Sequence, residues 1–111
     1  MRSFTIQSGK AQLTGVEDGR GPALVFLHAG VADKRMWRDQ MAAFADRHRV
    51  VAYDRRGSGE SRYQPEAFSH MQDLRKVLDE LGIERASLVG CSQGGRFAVD
   101  FALAHPKRVE K

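Results

Sequence analysis

A chain of 111 residues, 41% apolar and 29% charged, is long enough for one domain core and too rich in apolar side chains for disorder. Its formal charge of +4 does not mark a nucleic-acid binder, because basic residues are mixed with acids, as in "DKRMWRD" and "DLRKVLDE", and no basic stripe alternates with aromatics. One cysteine, Cys91, excludes an internal disulfide, and no apolar run reaches leader or membrane-span length, so a reducing, cytoplasmic setting is expected.

In chain order, "SFTIQ" and "AQLTGVE" alternate apolar and polar residues around "SGK", which predicts a β-hairpin. "EDGRGP" is a turn-rich connector, and "ALVFL" is a continuous apolar run of strand length, the pattern of a strand buried on both faces. The loop "HAGVADKR" leads to "MWRDQMAAFADR", where Met36, Trp37, Met41, Phe44 and Ala45 fall at helical spacing. "RVVAY" predicts a second buried strand with the Gly-rich exit "DRRGSGESRYQPEAF". Ser69 and Gln72 have capping-box spacing ahead of an apolar face formed by Met71, Leu74, Leu78 and Leu81, with Gly82 as the C-cap. "ASLVG" is a third buried strand, and a helix from about Gln93 to Ala104 stops before Pro106. The order predicts an α/β fold: a mostly parallel sheet with an N-terminal hairpin, right-handed crossovers and helices on both faces. Ligands in such sheets bind at the C-terminal strand ends, where "HAGVADKR", "DRRGSGES" and "GCSQGG" lie.

Gly90-Cys91-Ser92-Gln93-Gly94 matches G-x-S-x-G between a strand and a helix. Presenting a serine hydroxyl at the sheet edge needs a tight, strained turn, so Gly90 and Gly94 are expected for their size as they press together. Gly95 is expected to let the helix pack closely on the strand. Ser92 is therefore the candidate nucleophile. Cys91, at a free position of the motif, is expected to pack beneath the turn. Acyl transfer also needs backbone donors for a developing oxyanion. Gln93 supplies one, and Gly30 is the candidate for the other, with Val31 second. His28 is placed to anchor its loop through a backbone hydrogen bond rather than to act as a base. "YDRRGSGES" fails both G-x-G-x-x-G and G-K-[ST], which leaves nucleotide binding weak; Asp54 and Arg56 are expected to fix the loop by hydrogen bonds and an ion pair.

With these stretches in view, the chain resembles the N-terminal half of the α/β-hydrolase superfamily through "LHAG", "YDRRGSGES", "LVGCSQGG" and "ALAHPKRV". The resemblance covers essentially the whole chain and implies an incomplete α/β-hydrolase fold, residues 1–111 being the N-terminal portion of one domain. It implies Ser92 as nucleophile and Gly30 and Gln93 as oxyanion-hole donors, with no cofactor or metal. Ala29 stands where the family usually has glycine. Serine rather than aspartate at position 92 argues against the dehalogenase and epoxide-hydrolase branches. The family's triad order is Ser, Asp or Glu, then His. After Ser92 the chain holds Asp100, His105 and Glu110, but His105 lies at the far end of the helix, about 20 Å away at 1.5 Å per residue. His48 belongs to the wrong sheet edge, and His70 to the periphery of the right one.

The expected activity is hydrolysis of an ester, lactone, thioester or related acyl compound through an acyl-enzyme, with residues 1–111 alone inactive. Triad loss costs a serine hydrolase about 10⁶ in turnover. Two alternatives stand beside it: a catalytically silent binding module, and cofactor-free haloperoxidase or acyltransferase chemistry. The expected partner is a small acyl substrate, with neither nucleic acid nor membrane. "ASLVG" would remain an exposed edge open to self-association, beside a helix apolar over most of its circumference.

Overall fold

The computed structural model describes residues 1–111. Strands β1 (Arg2–Ser8) and β2 (Ala11–Asp18) form the predicted hairpin, and β3 (Ala23–Leu27), β4 (Arg49–Tyr53) and β5 (Ala86–Gly90) complete one sheet in the order β1-β2-β4-β3-β5. β4 and β5 flank β3 in parallel, whereas the hairpin joins through β2, antiparallel to β4.

The pleat divides the core. Val25, Leu27, Val51 and Tyr53 point to the face covered by helices α2 (His70–Glu80) and α3 (Gln93–Ala104), where they meet Leu74, Val77, Leu78 and Phe101. The intervening residues Phe26, Val50 and Ala52 point the other way, against Trp37 and Met41. The continuous apolar runs of β3 and β4 thus serve two helical layers, as a strand buried on both faces must. α2 opens as its spacing predicts: the Ser69 hydroxyl accepts from the Gln72 amide at 3.0 Å. Gly82, just past the helix, takes φ +68°.

One element departs from expectation. Instead of one helix through residues 36–47, a 3-10 turn (Lys34–Trp37) leads into a short α1 (Arg38–Phe44). Asp33 caps the turn, its carboxylate accepting from the Arg35 amide at 2.9 Å. The Trp37 ring stacks 5.0 Å from that of Phe26. Met36 and Phe44 consequently face outward. A seven-residue helix has little stability of its own; the burial of Trp37 and Met41 holds it.

β5 lies at the sheet margin, as expected for a strand whose apolar sequence calls for a further neighbour, and only Ala86 is fully covered. Part of that margin is occupied by residues 109–111. Val109 pairs in parallel with Ala86, the Glu110 amide donates to the Ala86 carbonyl at 2.8 Å, and the Leu88 amide donates to Lys111 at 2.9 Å. The edge is open only from Val89 onward. No helix is long and apolar enough to cross a membrane.

Candidate active site

Between β5 and α3 the chain reverses within two residues. Ser92 sits at φ 54°, ψ −118°, and is the one non-glycine residue with positive φ. A side chain with a Cβ rarely adopts that region, so the turn holds Ser92 there against local preference. The space around it is set by glycine. A Cβ on Gly90 would lie 2.6 Å from Gly94, in line with the expected crowding. Gly94, however, is pressed hardest by the end of β3: a Cβ there would come within 2.1 Å of the Leu27 carbonyl oxygen and 2.6 Å of that of His28. Gly95 does not have the expected close-packing role, since its Cβ would meet nothing nearer than 3.5 Å. Cys91 lies half-buried against the Phe26–Trp37 cluster, beneath the turn.

Ser92 and Gln93 are exposed at the C-terminal edge of the sheet, with Gly30 and Val31 across from them on the β3 exit loop. The loop approaches the elbow at Gly30, where a Cβ would lie 2.7 Å from the Gln93 side-chain oxygen. The amides of Gly30 and Val31 donate no hydrogen bond within the chain. Gln93 opens α3, so its amide has no partner one turn back. The neighbouring Ala29 amide is occupied by the Met36 sulfur at 3.3 Å, and the Ala32 amide by the Ala29 carbonyl, whereas those of Gly30 and Val31 are not.

His28 anchors that loop. Its Nδ1 bonds the Ala29 carbonyl at 2.7 Å, and its Nε2 accepts from the Arg55 amide at 3.0 Å. The second bond fixes the neutral tautomer protonated at Nδ1. Burial also holds the ring's pKa below the ordinary histidine value. Taking a proton at Nε2 would cost the Arg55 amide its acceptor, so the ring is occupied as an anchor.

The β4 exit loop is built on Asp54 and Arg56, though not through a pair between them. The fully buried Asp54 carboxylate accepts from the Lys34 amide at 2.7 Å, the Lys34 ammonium at 2.8 Å and the Glu60 amide at 2.9 Å. Burial lowers the Lys34 pKa, but its bonds to Asp54 and Glu60 outweigh that and leave it raised. Arg56 instead pairs with Asp73 of α2 at 2.9 Å and with Glu66, and donates to the Ser8 carbonyl at 3.0 Å. It thereby ties the loop to the hairpin and to α2. Arg55, which the motif reading passed over, reaches the site itself: its guanidinium donates to the His28 carbonyl and, at 3.1 Å, to the Gln93 side-chain oxygen.

None of the other histidines hydrogen-bonds to Ser92. His105 caps the distal end of α3 on the Phe101 ring, and His48 packs on Phe44 ahead of β4. His70, at the start of α2, stacks 4.5 Å from Phe97 in the second turn of α3. No three His, Cys, Asp or Glu side chains converge to hold a metal ion.

The model of the alpha/beta hydrolase fold family matches residues 22–111, the whole of the strand-and-helix alternation that builds this edge. The chain belongs to the alpha/beta hydrolase fold family. Among curated relatives it is 39% identical over 115 residues to the "Putative carbamate hydrolase RutD" of Caulobacter sp. (strain K31), covering 96% of this chain and 43% of that protein. It is 38% identical over 101 residues to 3-oxoadipate enol-lactonase 1 of Acinetobacter baylyi, covering 86% of this chain and 37% of the relative. A solved mutant epoxide hydrolase of Vigna radiata superposes with a TM-score of 0.90 at 28% identity, over 98% of this chain and 36% of its own. The chain therefore spans about two fifths of the length of the proteins it matches. The relatives carry hydrolase names of several kinds.

Proposed function

We propose that residues 1–111 carry the nucleophile and oxyanion-binding half of a serine hydrolase acting on an ester, lactone or related acyl compound. The observation that carries this reading is the strained, exposed Ser92 on its glycine-walled turn. Strain of this kind at a solvent-facing hydroxyl serves no packing purpose and fits a group held for reaction. Ser92 Oγ attacks the acyl carbonyl, and the carbonyl oxygen, now negative, accepts from the amides of Gln93 and Gly30. Collapse of the tetrahedral adduct expels the alcohol and leaves the acyl group on Ser92, from which water releases it. The proton of Ser92 needs a base, and no histidine of residues 1–111 is hydrogen-bonded to its hydroxyl. The base and its acid partner are assigned to further polypeptide, consistent with the greater length of the relatives. Residues 1–111 alone are then inactive.

The enol-lactonase name among the relatives supports this substrate class. The epoxide hydrolase name does not transfer, because serine stands at the elbow. The absence of a hydrogen-bonded base favours a second reading, a catalytically silent module that binds a ligand at the same edge. A fluorophosphonate probe separates the two. In the full-length protein it labels Ser92, and Ser92→Ala abolishes labelling and ester turnover. Labelling that survives Ser92→Ala places the nucleophile elsewhere, and a full-length protein that resists the probe is the silent module.

A further inference from the structure

Arg55 is 2% exposed, yet none of its partners is a carboxylate. Its guanidinium donates to the His28 carbonyl and to Gln93 Oε1, and its central carbon stands 5.0 Å above the Phe97 ring. The other buried basic side chains are ion-paired: Lys34 with Asp54 and Glu60, Arg56 with Asp73 and Glu66. Asp54, although adjacent in sequence, bonds to Lys34 and the Glu60 amide instead. A buried cation served only by neutral acceptors is costly to hold. Packing would be better met by a neutral side chain of similar size.

The acceptors it reaches are particular ones. His28 is two residues before Gly30, and Gln93 carries the other oxyanion donor. The Gln93 side-chain oxygen that Arg55 holds is the atom standing over Gly30. One planar fork thus spans the β3 loop and the start of α3, the two segments whose separation sets the distance between the two donor amides.

We infer that Arg55 is a positioning residue, which clamps the Gly30 and Gln93 segments at the spacing an oxyanion requires and adds an uncompensated positive charge behind it. This rests on the acyl-transfer reading above. Positive charge fixed in a water-poor site favours charge that develops in the transition state, and a displacement of about 1 Å among the donors can cost about 100-fold in rate. Lysine keeps the charge but cannot bridge two acceptors with a planar fork.

The test uses the full-length protein, with p-nitrophenyl acetate turnover and the rate of fluorophosphonate labelling as readouts. Arg55→Met is expected to lower kcat and the labelling rate in parallel by about 10- to 100-fold, with KM within about twofold. Gln93→Ala breaks the same clamp from its other end. The double variant should therefore lose no more than about twofold beyond the worse single one. Arg55→Lys, which keeps charge and bulk should Arg55→Met fail to fold, is expected to retain the fold by circular dichroism and recover only part of kcat. Unchanged kcat in a folded Arg55 variant, or fully additive losses with Gln93→Ala, overturns the clamp. Ser92→Ala run in parallel distinguishes the failures: a dead Ser92→Ala beside a fully active Arg55 variant refutes the clamp alone, and an active Ser92→Ala refutes the acyl-transfer reading and the clamp with it.

Discussion

At Gly94 a single added methyl would stand 2.1 Å from one backbone oxygen of β3 and 2.6 Å from the next, whereas at Gly95 it would meet nothing within 3.4 Å. Backbone atoms in a buried strand cannot step aside as a flexible side chain does, so Gly94→Ala must push α3 away from β3. It is expected to destabilise the protein by about 3 kcal/mol, the upper part of the overpacking range. Gly95→Ala is expected to be neutral or to stabilise by up to about 1 kcal/mol, through helix propensity alone. Thermal melts of the two variants check the pair; equal losses would mean that the elbow is crowded on both sides. The sequence motif places small residues around Ser92 without saying which neighbour each one makes room for. Arg55 was illegible for a related reason: "DRR" presents two arginines in a row, and only the path of the β4 exit loop decides that one turns to α2 and the other to the elbow.

At the scale of elements, a buried ion pair joins the 3-10 turn to the β4 exit loop. Lys34 is 9% exposed and Asp54 0%. Replacing Lys34 by methionine strands a carboxylate in the interior with amide donors only, at an expected cost of about 3–5 kcal/mol. In an Asp54→Asn background no charge is stranded, and the same change should cost about 1 kcal/mol. Urea unfolding of the four-member cycle measures the difference, and equal costs in both backgrounds would show that the pair contributes no coupling. This pair also explains why the strands and α2 were readable from sequence and α1 was not. Alternation, apolar runs and the Ser69 cap are local signals, written in neighbouring residues. The start of the α1 region is set by a partner 20 positions away, which draws Lys34 inward and turns Met36 out. Helical spacing at Met36 and Phe44 therefore did not mean burial. The approach of the β3 exit loop to the Gln93 side chain was legible at Gly30 for the opposite reason, since a residue without a Cβ marks the crowded position in the sequence itself.

Over the whole molecule, one flank is unfinished. α3 leaves Val99 59% and Leu103 78% exposed, and a shallow groove between Leu88, Ala98, Val99, Ala102 and Val109 runs beside them. Next to it, β5 has its outer edge paired only with residues 109–111, and Val89 lies open. Apolar surface and an open strand edge on one flank form a template for association: the edge supplies unpaired backbone groups and the helix supplies area to bury. The chain of 111 residues by itself is expected to self-associate through this flank. Sedimentation velocity should show an average mass rising with concentration, and Val99→Glu with Leu103→Glu should restore the monomer while changing stability by no more than about 0.5 kcal/mol, because both side chains already face water. A wild-type chain that stays monomeric throughout the series would show that residues 109–111 cover enough of the edge to block pairing. If the double variant still associated, the contact would have to lie elsewhere, and the outer margin at β1 would be the next edge to test.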